Sequence, residues 1–217
     1  WIGSCALPDA WHGRGIINEE MITEKEYKDK VADIIKYSSR GYDRFLTIAD
    51  SGNLSSRYQN GILITASGVS LKEVTEDSVL YVGMDGKTLS NPAGLKPSKE
   101  TPLHLAIYRL RPDVQSVYHV HSPYATVYAI KGREIPFLTS TAKRKIVATP
   151  LVPYATPGSE ELSRYVSDTI SREDRSIHSL LLKDHGIVTF EKSLELSFNL
   201  AELLEVTAKI SILSNLI

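Results

Sequence analysis

Between Tyr27 and Ser38 the positions Tyr27, Val31, Ile34, Ile35 and Ser38 follow the three-and-four spacing of one helix face. Thr23 followed by Glu26 reads as a capping box opening that helix, and Gly41 as its stop. The pattern then changes period. "SGNLSSR" (51–57) is a turn-rich lead into "NGILITASG" (60–68), where Asn60-Gly61 marks a hairpin and Ile62 to Thr65 a strand. "VLYVGMDGKTL" (79–89) predicts a further strand with an Asp85-Gly86 turn. Pro102 suits the first position of a helix whose buried stripe is Leu103, Ala106, Ile107 and Leu110, and Pro112 ends it. "VQSVYHVH" (114–121) favours a strand through its valines and tyrosine, and Ser122-Pro123 an N-cap and first turn of the next helix.

Helical spacing returns at Leu162, Tyr165, Val166, Thr169 and Ile170. "LLLKDHGIVTF" (180–190) reads as two apolar strands around an Asp-His-Gly turn, and Ser193 opens a last helix through Leu213. Strands joined by hairpins and interrupted by helices predict an α/β sheet with antiparallel pairs, not a regular doubly wound one.

Composition narrows the class. The 217 residues suit one domain with one sizeable core. Lys+Arg 25 against Asp+Glu 26 gives a net charge of −1, which offers no basic stripe for nucleic acid. No apolar run approaches the ~20 residues of a membrane span. The single cysteine, Cys5, excludes an internal disulfide framework and suits a reducing cytoplasm. Residues 1–20 hold that cysteine, both tryptophans and His12 without any clear period. We read them as an extension ahead of one main domain at 21–217, with His12 a solvated loop residue, and expect no signal peptide.

The chemistry-bearing candidates begin with "YHVHSPYA" (118–125). On a strand, residues i and i+2 share a face at roughly 7 Å, so His119 and His121 can converge on one ion while Val120 packs the other way. The pair alone fits a metal clamp and two carbonyl-satisfied buried histidines equally well. His185, at the tip of a turn and followed by Gly186, shifts the reading. Three imidazoles with an open fourth position form the donor set of a catalytic metal site. His104 and His178 compete as third ligand, and both are expected at the surface or behind the ligands. In "KPSKE" (96–100), Ser98, Lys99 and the amides ahead of the Pro102 helix suit a phosphate, and Glu100 suits proton transfer. Capping by Ser98 beside a solvated Glu100 is the alternative there.

Taken in order, "SGNLSSR", "ITASGVS", "KPSKETPLHLAIYR", "HVHSPYA" and "DHGIVTF" resemble the class II aldolase/adducin family. The resemblance runs from the Thr23 helix to the C-terminus. It implies a three-layer α/β/α sandwich around a largely antiparallel mixed sheet, assembled as a homotetramer with active sites between subunits. It implies one divalent ion per subunit, typically zinc, on His119, His121 and His185, and Glu100 as catalytic carboxylate. Asn53, Ser67, Gly68, Ser98 and Lys99 fall on the family's phosphate-binding positions. No residue is assigned to the family's C-terminal catalytic tyrosine.

The expected activity is carbon–carbon cleavage of a small phosphorylated sugar or sugar acid through a metal-stabilised enediolate. Lys99, "LVPYATPG" (151–158) and "LLEVTAKISIL" (203–213) resemble the branch that decarboxylates 3-oxo-tetronate 4-phosphates, which is narrowly favoured. A sugar-phosphate aldolase, a 4-epimerase and a metal-free adducin-like scaffold are the alternatives.

Overall fold

The computed structural model describes residues 13–217 apart from 92, 174 and 217, so Cys5 and His12 lie outside the described residues. In chain order the main elements are α1 (Gly13–Asp43), β1 (Asn53–Tyr58), β2 (Gly61–Thr65), β3 (Val79–Gly83), β4 (Thr88–Ser90), α2 (Thr101–Leu110) and β5 (Ser116–Val120). They continue with α3 (Pro123–Lys131), α4 (Ser140–Lys145), β6 (Leu151–Val152), α5 (Glu160–Arg172), β7 (Ser179–Leu182), β8 (Gly186–Glu191) and α6 (Leu194–Ser214). The strands form one sheet in the order β4-β3-β2-β1-β5-β8-β7-β6. Every pairing is antiparallel except β6 with β7.

Strict alternation along the strands builds two cores. Leu54, Leu63, Tyr118, Val120, Leu181 and Ile187 face α1, α3 and α6, meeting Ile34, Ala129, Phe198 and Ala201. Ile62, Ile64, Val117, Leu180, Leu182, Val188 and Phe190 face α2 and α5, meeting Leu103, Ile107, Leu162 and Val166. The result is a three-layer α/β/α sandwich. Ser159 and Ser193 cap α5 and α6 by accepting from Leu162 N at 3.1 Å and Leu196 N at 3.3 Å.

Five local expectations change. Helix α1 starts at Gly13 and passes through Thr23, so that residue does not open it. Gly41 lies inside α1 rather than stopping it; a Cβ there would sit 1.9 Å from the Tyr118 hydroxyl, which donates to Tyr37 O. The first hairpin turns on Gln59 (φ 46°) and Asn60, with Gly61 already paired to Tyr58. Leu110 is 36% exposed and sits at the rim of the α2 stripe. "NLSSRY" is a central strand, β1, not a turn.

Candidate metal centre and anion cleft

Strand β5 carries His119 on the face it shares with Val117, toward α2, and His121 follows at the strand's end. In the ladder His119 stands opposite Asn53 of β1 and Val188 of β8. His185 occupies the β7–β8 turn, where Asp184 takes a left-handed φ of 57°. Gly186 permits the approach of the neighbouring strand, since a Cβ would meet Val120 O at 2.5 Å and the His121 ring at 3.0 Å. Three residues separated by up to 66 positions thus meet at one edge of the sheet.

The three rings form a nearly equilateral set, with centroids 4.9, 4.7 and 4.8 Å apart and interplanar angles of 66°, 64° and 67°. One ligating atom from each lies within 4.8 Å of the others. His119 Nδ1 donates to Ile187 O at 2.9 Å, which leaves its lone pair on Nε2, 3.0 Å from His121 Nε2. Burial pushes His121 down to about 4 and His119 well below its ordinary value, so both rings are neutral at pH 7. His185 Nδ1 is buried with no hydrogen-bond partner among the described residues. Neutral rings at His119 and His121, a pinned tautomer at His119 and three convergent ring nitrogens fit a divalent cation.

Glu100 is 6% exposed and not solvated. Its Oε2 lies 3.3 Å from His119 Nε2 and its Oε1 3.2 Å from His185 Nε2. Burial alone would raise this carboxyl, but His119, His185 and His104 outweigh it and hold the group down to about 2. Ser98 Oγ does accept from Glu100 N at 3.2 Å, so it orders the turn that aims the carboxylate inward.

Beside the rings opens a cleft of about 190 Å³ lined by Asn53, Ser67, Gly68, Ser98, Lys99, Glu100, His119 and His121, with Asp50, Ser51, Gly52 and Ala66. All five residues expected to hold phosphate therefore border one space. Gly68 takes φ 74° with nothing within 4 Å of an added Cβ, so its backbone lies open to the cleft. Lys99 is exposed at the rim. Asp50 is an acidic neighbour that no motif points to; its only signal in the sequence is its place directly before the Ser-Gly-Asn turn.

One expectation about polar side chains is narrowed and one fails. Of the two places expected for His104, the surface is excluded: the residue is 0% exposed. Its Nδ1 lies 2.7 Å from Ser55 Oγ and its Nε2 2.6 Å from Asn53 Oδ1, and burial pushes its pKa down to about 4. Lying one helical turn after Glu100, it had to share that residue's face. Ser122 leaves α3 without a side-chain cap; Glu205 of α6 instead accepts from Tyr124 N at 3.0 Å and Ala125 N at 2.9 Å. His178 is half-buried against Phe190 O and Glu191, away from the other histidines.

The sequence profile of the Class II Aldolase and Adducin N-terminal domain matches residues 32–212. The chain belongs to the class II aldolase and adducin family. Within it, the L-fuculose phosphate aldolase of Escherichia coli strain K12 is 34% identical over 163 residues, 74% of this chain and 72% of that protein. The 5-methylthioribulose-1-phosphate/5-deoxyribulose-1-phosphate aldolase of Escherichia coli O45:K1 strain S88 is 38% identical over 152 residues, 70% of this chain and 68% of that one. Among solved structures, an L-fuculose 1-phosphate aldolase superposes with TM-score 0.79 at 28% identity, covering 86% of each chain. YgbL of Escherichia coli, for which aldolase, epimerase and decarboxylase activities are all suggested, gives 0.76 at 27% identity over 88% of this chain and 90% of that one. The class II aldolases are lyases that use a divalent metal, and this chain is an enzyme of that family. No helix among the described residues is long and apolar enough to cross a membrane.

Proposed function

We propose that this chain is a sugar-phosphate aldolase that cleaves a small phosphorylated ketose. One observation carries the reading: a cleft of about 190 Å³ joins a wall of small hydroxyl, amide and backbone donors to three convergent imidazoles and a buried carboxylate. Asn53, Ser67, Gly68, Ser98 and Lys99 bind the phosphate, which fixes the substrate's reacting carbons beside His119, His121 and His185. A divalent ion held by those histidines, zinc in this reading and one per subunit, would polarise the substrate carbonyl and lower the cost of charge building there. Glu100, held ionised at the edge of the histidines, takes the proton and returns it to the carbon left when the bond breaks. The site works in a cytoplasmic homotetramer, each cleft being completed at a subunit boundary.

The relatives at 34% and 38% identity are both aldolases, which supports this reading over the decarboxylation favoured by the sequence motifs. Decarboxylation of a 3-oxo acid phosphate keeps one specific support, the lysine at 99 beside Glu100 on the cleft wall. A panel of ketose 1-phosphates and 3-oxo acid phosphates, assayed for aldehyde, carbon dioxide and isomerised sugar, tests both. Aldehyde release from a ketose phosphate is expected. Carbon dioxide alone would move the assignment to the decarboxylase, an isomer alone to the epimerase, and no turnover with metal bound to a non-catalytic scaffold.

A further inference from the structure

We propose that His104 is a positioning residue that locks the Asn53 side-chain amide with its NH₂ group toward the cleft, so that this end offers donors to the substrate's phosphate. The inference rests on the anion-binding reading of that cleft. His104 is buried behind the cleft wall and does not line it, so it touches neither substrate nor metal.

A chain of four side chains sets the direction of every proton. Tyr108 Oη lies 3.1 Å from the Ser55 carbonyl oxygen, which can only accept, and 2.9 Å from Ser55 Oγ. At the other end Asn53 Oδ1, 2.6 Å from His104 Nε2, can only accept, so the serine's proton goes to His104 Nδ1 at 2.7 Å and the tyrosine's is shared by the Ser55 oxygens. A neutral imidazole has a single N–H, which that contact assigns to Nε2. Nε2–H then donates to Asn53 Oδ1 at 2.6 Å. With its carbonyl oxygen drawn inward, Asn53 presents two N–H donors on the side where it borders the cleft. The opposite orientation would require His104 Nε2 to accept from the amide and would aim a carbonyl oxygen at an anion. Because Tyr108, Ser55 and His104 are all buried, water cannot supply a substitute partner at low cost.

The same chain explains a polar sequence in the middle of a sheet. Asn53 and Ser55 alternate on the α2 face of β1, and each spends its polarity on this network.

The test uses inorganic phosphate as probe on the full metal-loaded protein, alongside steady-state kinetics. His104→Phe is expected to weaken phosphate binding and raise KM by about ten- to hundredfold, the worth of a donor to a charged group, with kcat within about threefold. His104→Gln, whose amide can donate to Asn53 and accept from Ser55, is expected to restore most of the affinity. Asn53→Ala is expected to weaken phosphate equally, and adding His104→Phe to it to cost nothing more. Should His104→Phe fail to fold, Ser55→Ala releases the tautomer lock alone and is expected to weaken phosphate severalfold. Full phosphate affinity in His104→Phe or Ser55→Ala, or additive losses in the double variant, would overturn the positioning role. Unchanged phosphate binding in Asn53→Ala would instead overturn the anion-cleft reading on which it stands.

Discussion

The two ends of the cleft are built by different means. At the metal end, His119 and His121 ride on β5 and its end, and His185 on the β7–β8 turn, so ladder hydrogen bonds fix the rings. At the anion end, Asn53 begins a strand, while Ser67, Gly68, Ser98 and Lys99 sit on turns ordered by contacts such as Ser67 N to Lys96 O at 2.8 Å. In the proposed reading the first end would hold a point charge, whose ligands tolerate little displacement. The second spreads its donors over several loops, and each contributes a fraction. Losses at the metal end should therefore be all-or-none, and losses at the anion end partial and confined to binding.

The sharpest way to break that contrast is His119→Ala. Removing a ring with 0% exposure takes away a ligand and its bond to Ile187 O together, and turnover is expected to vanish with the bound metal. Turnover lost while metal content stays full would remove His119 from the ligand set. Glu100→Gln should fall between the two ends. The ion stays bound, while kcat drops by about 10²–10⁴, the usual worth of a positioned proton carrier. Undiminished kcat would take Glu100 out of the mechanism.

Acid should act through His104 as well as through His119 and His121, whose pKa values burial also lowers. The folded pKa of His104, about 4, lies below the ordinary 6.5, so the unfolded chain takes up the proton first as pH falls. This contribution to stability is complete above pH 6.5 and is lost between about pH 6.5 and 4, to a total of roughly 3 kcal/mol. Urea midpoints of metal-free protein across that range check it, and His104→Gln should flatten the slope. An equal slope in the variant would assign the acid sensitivity elsewhere.

Lys99→Ser should give the smallest effect, because the lysine is exposed at the rim. A neutral ketose phosphate is expected to lose severalfold in kcat/KM, because Lys99 serves its phosphate, and a phosphorylated sugar acid no more than that. Unchanged kcat/KM for the ketose phosphate would remove Lys99 from the phosphate site, and a much larger loss for the sugar acid would show Lys99 reading the carboxylate and favour decarboxylation.

The same contrast governs what the sequence disclosed. The histidine end was legible because a two-residue spacing on a valine-rich strand has one geometric meaning, and because the Asp-His-Gly turn lies between two apolar runs. Helices α5 and α6 were legible for a similar reason, α5 from the spacing of Leu162, Tyr165, Val166, Thr169 and Ile170 and α6 from Ser193 standing directly before it. Strand β1 was not, because Asn53, Ser55 and Arg57 turn polar groups toward α2, where partners far along the chain satisfy them: His104, Tyr108 and the Val114 carbonyl. Residue type left His104 open between the surface and a place behind the ligands for the same cause, since the choice depends on Ser55 and Asn53 being brought to it. The cap of α3 was out of reach altogether, since its acceptor, Glu205, lies about 80 positions from the amides it binds. Gly41 was mistaken for a stop because its neighbour, the Tyr118 hydroxyl, arrives from a distant strand.

The most direct test of a three-histidine centre is titration of zinc into chelator-stripped protein, following heat and stoichiometry for the wild type, His121→Ala and Asn53→Ala. One ion per subunit is expected in the wild type and in Asn53→Ala, and none at the same concentration in His121→Ala. A wild type that binds no ion, or a His121→Ala variant that binds one as tightly as the wild type, would contradict the account.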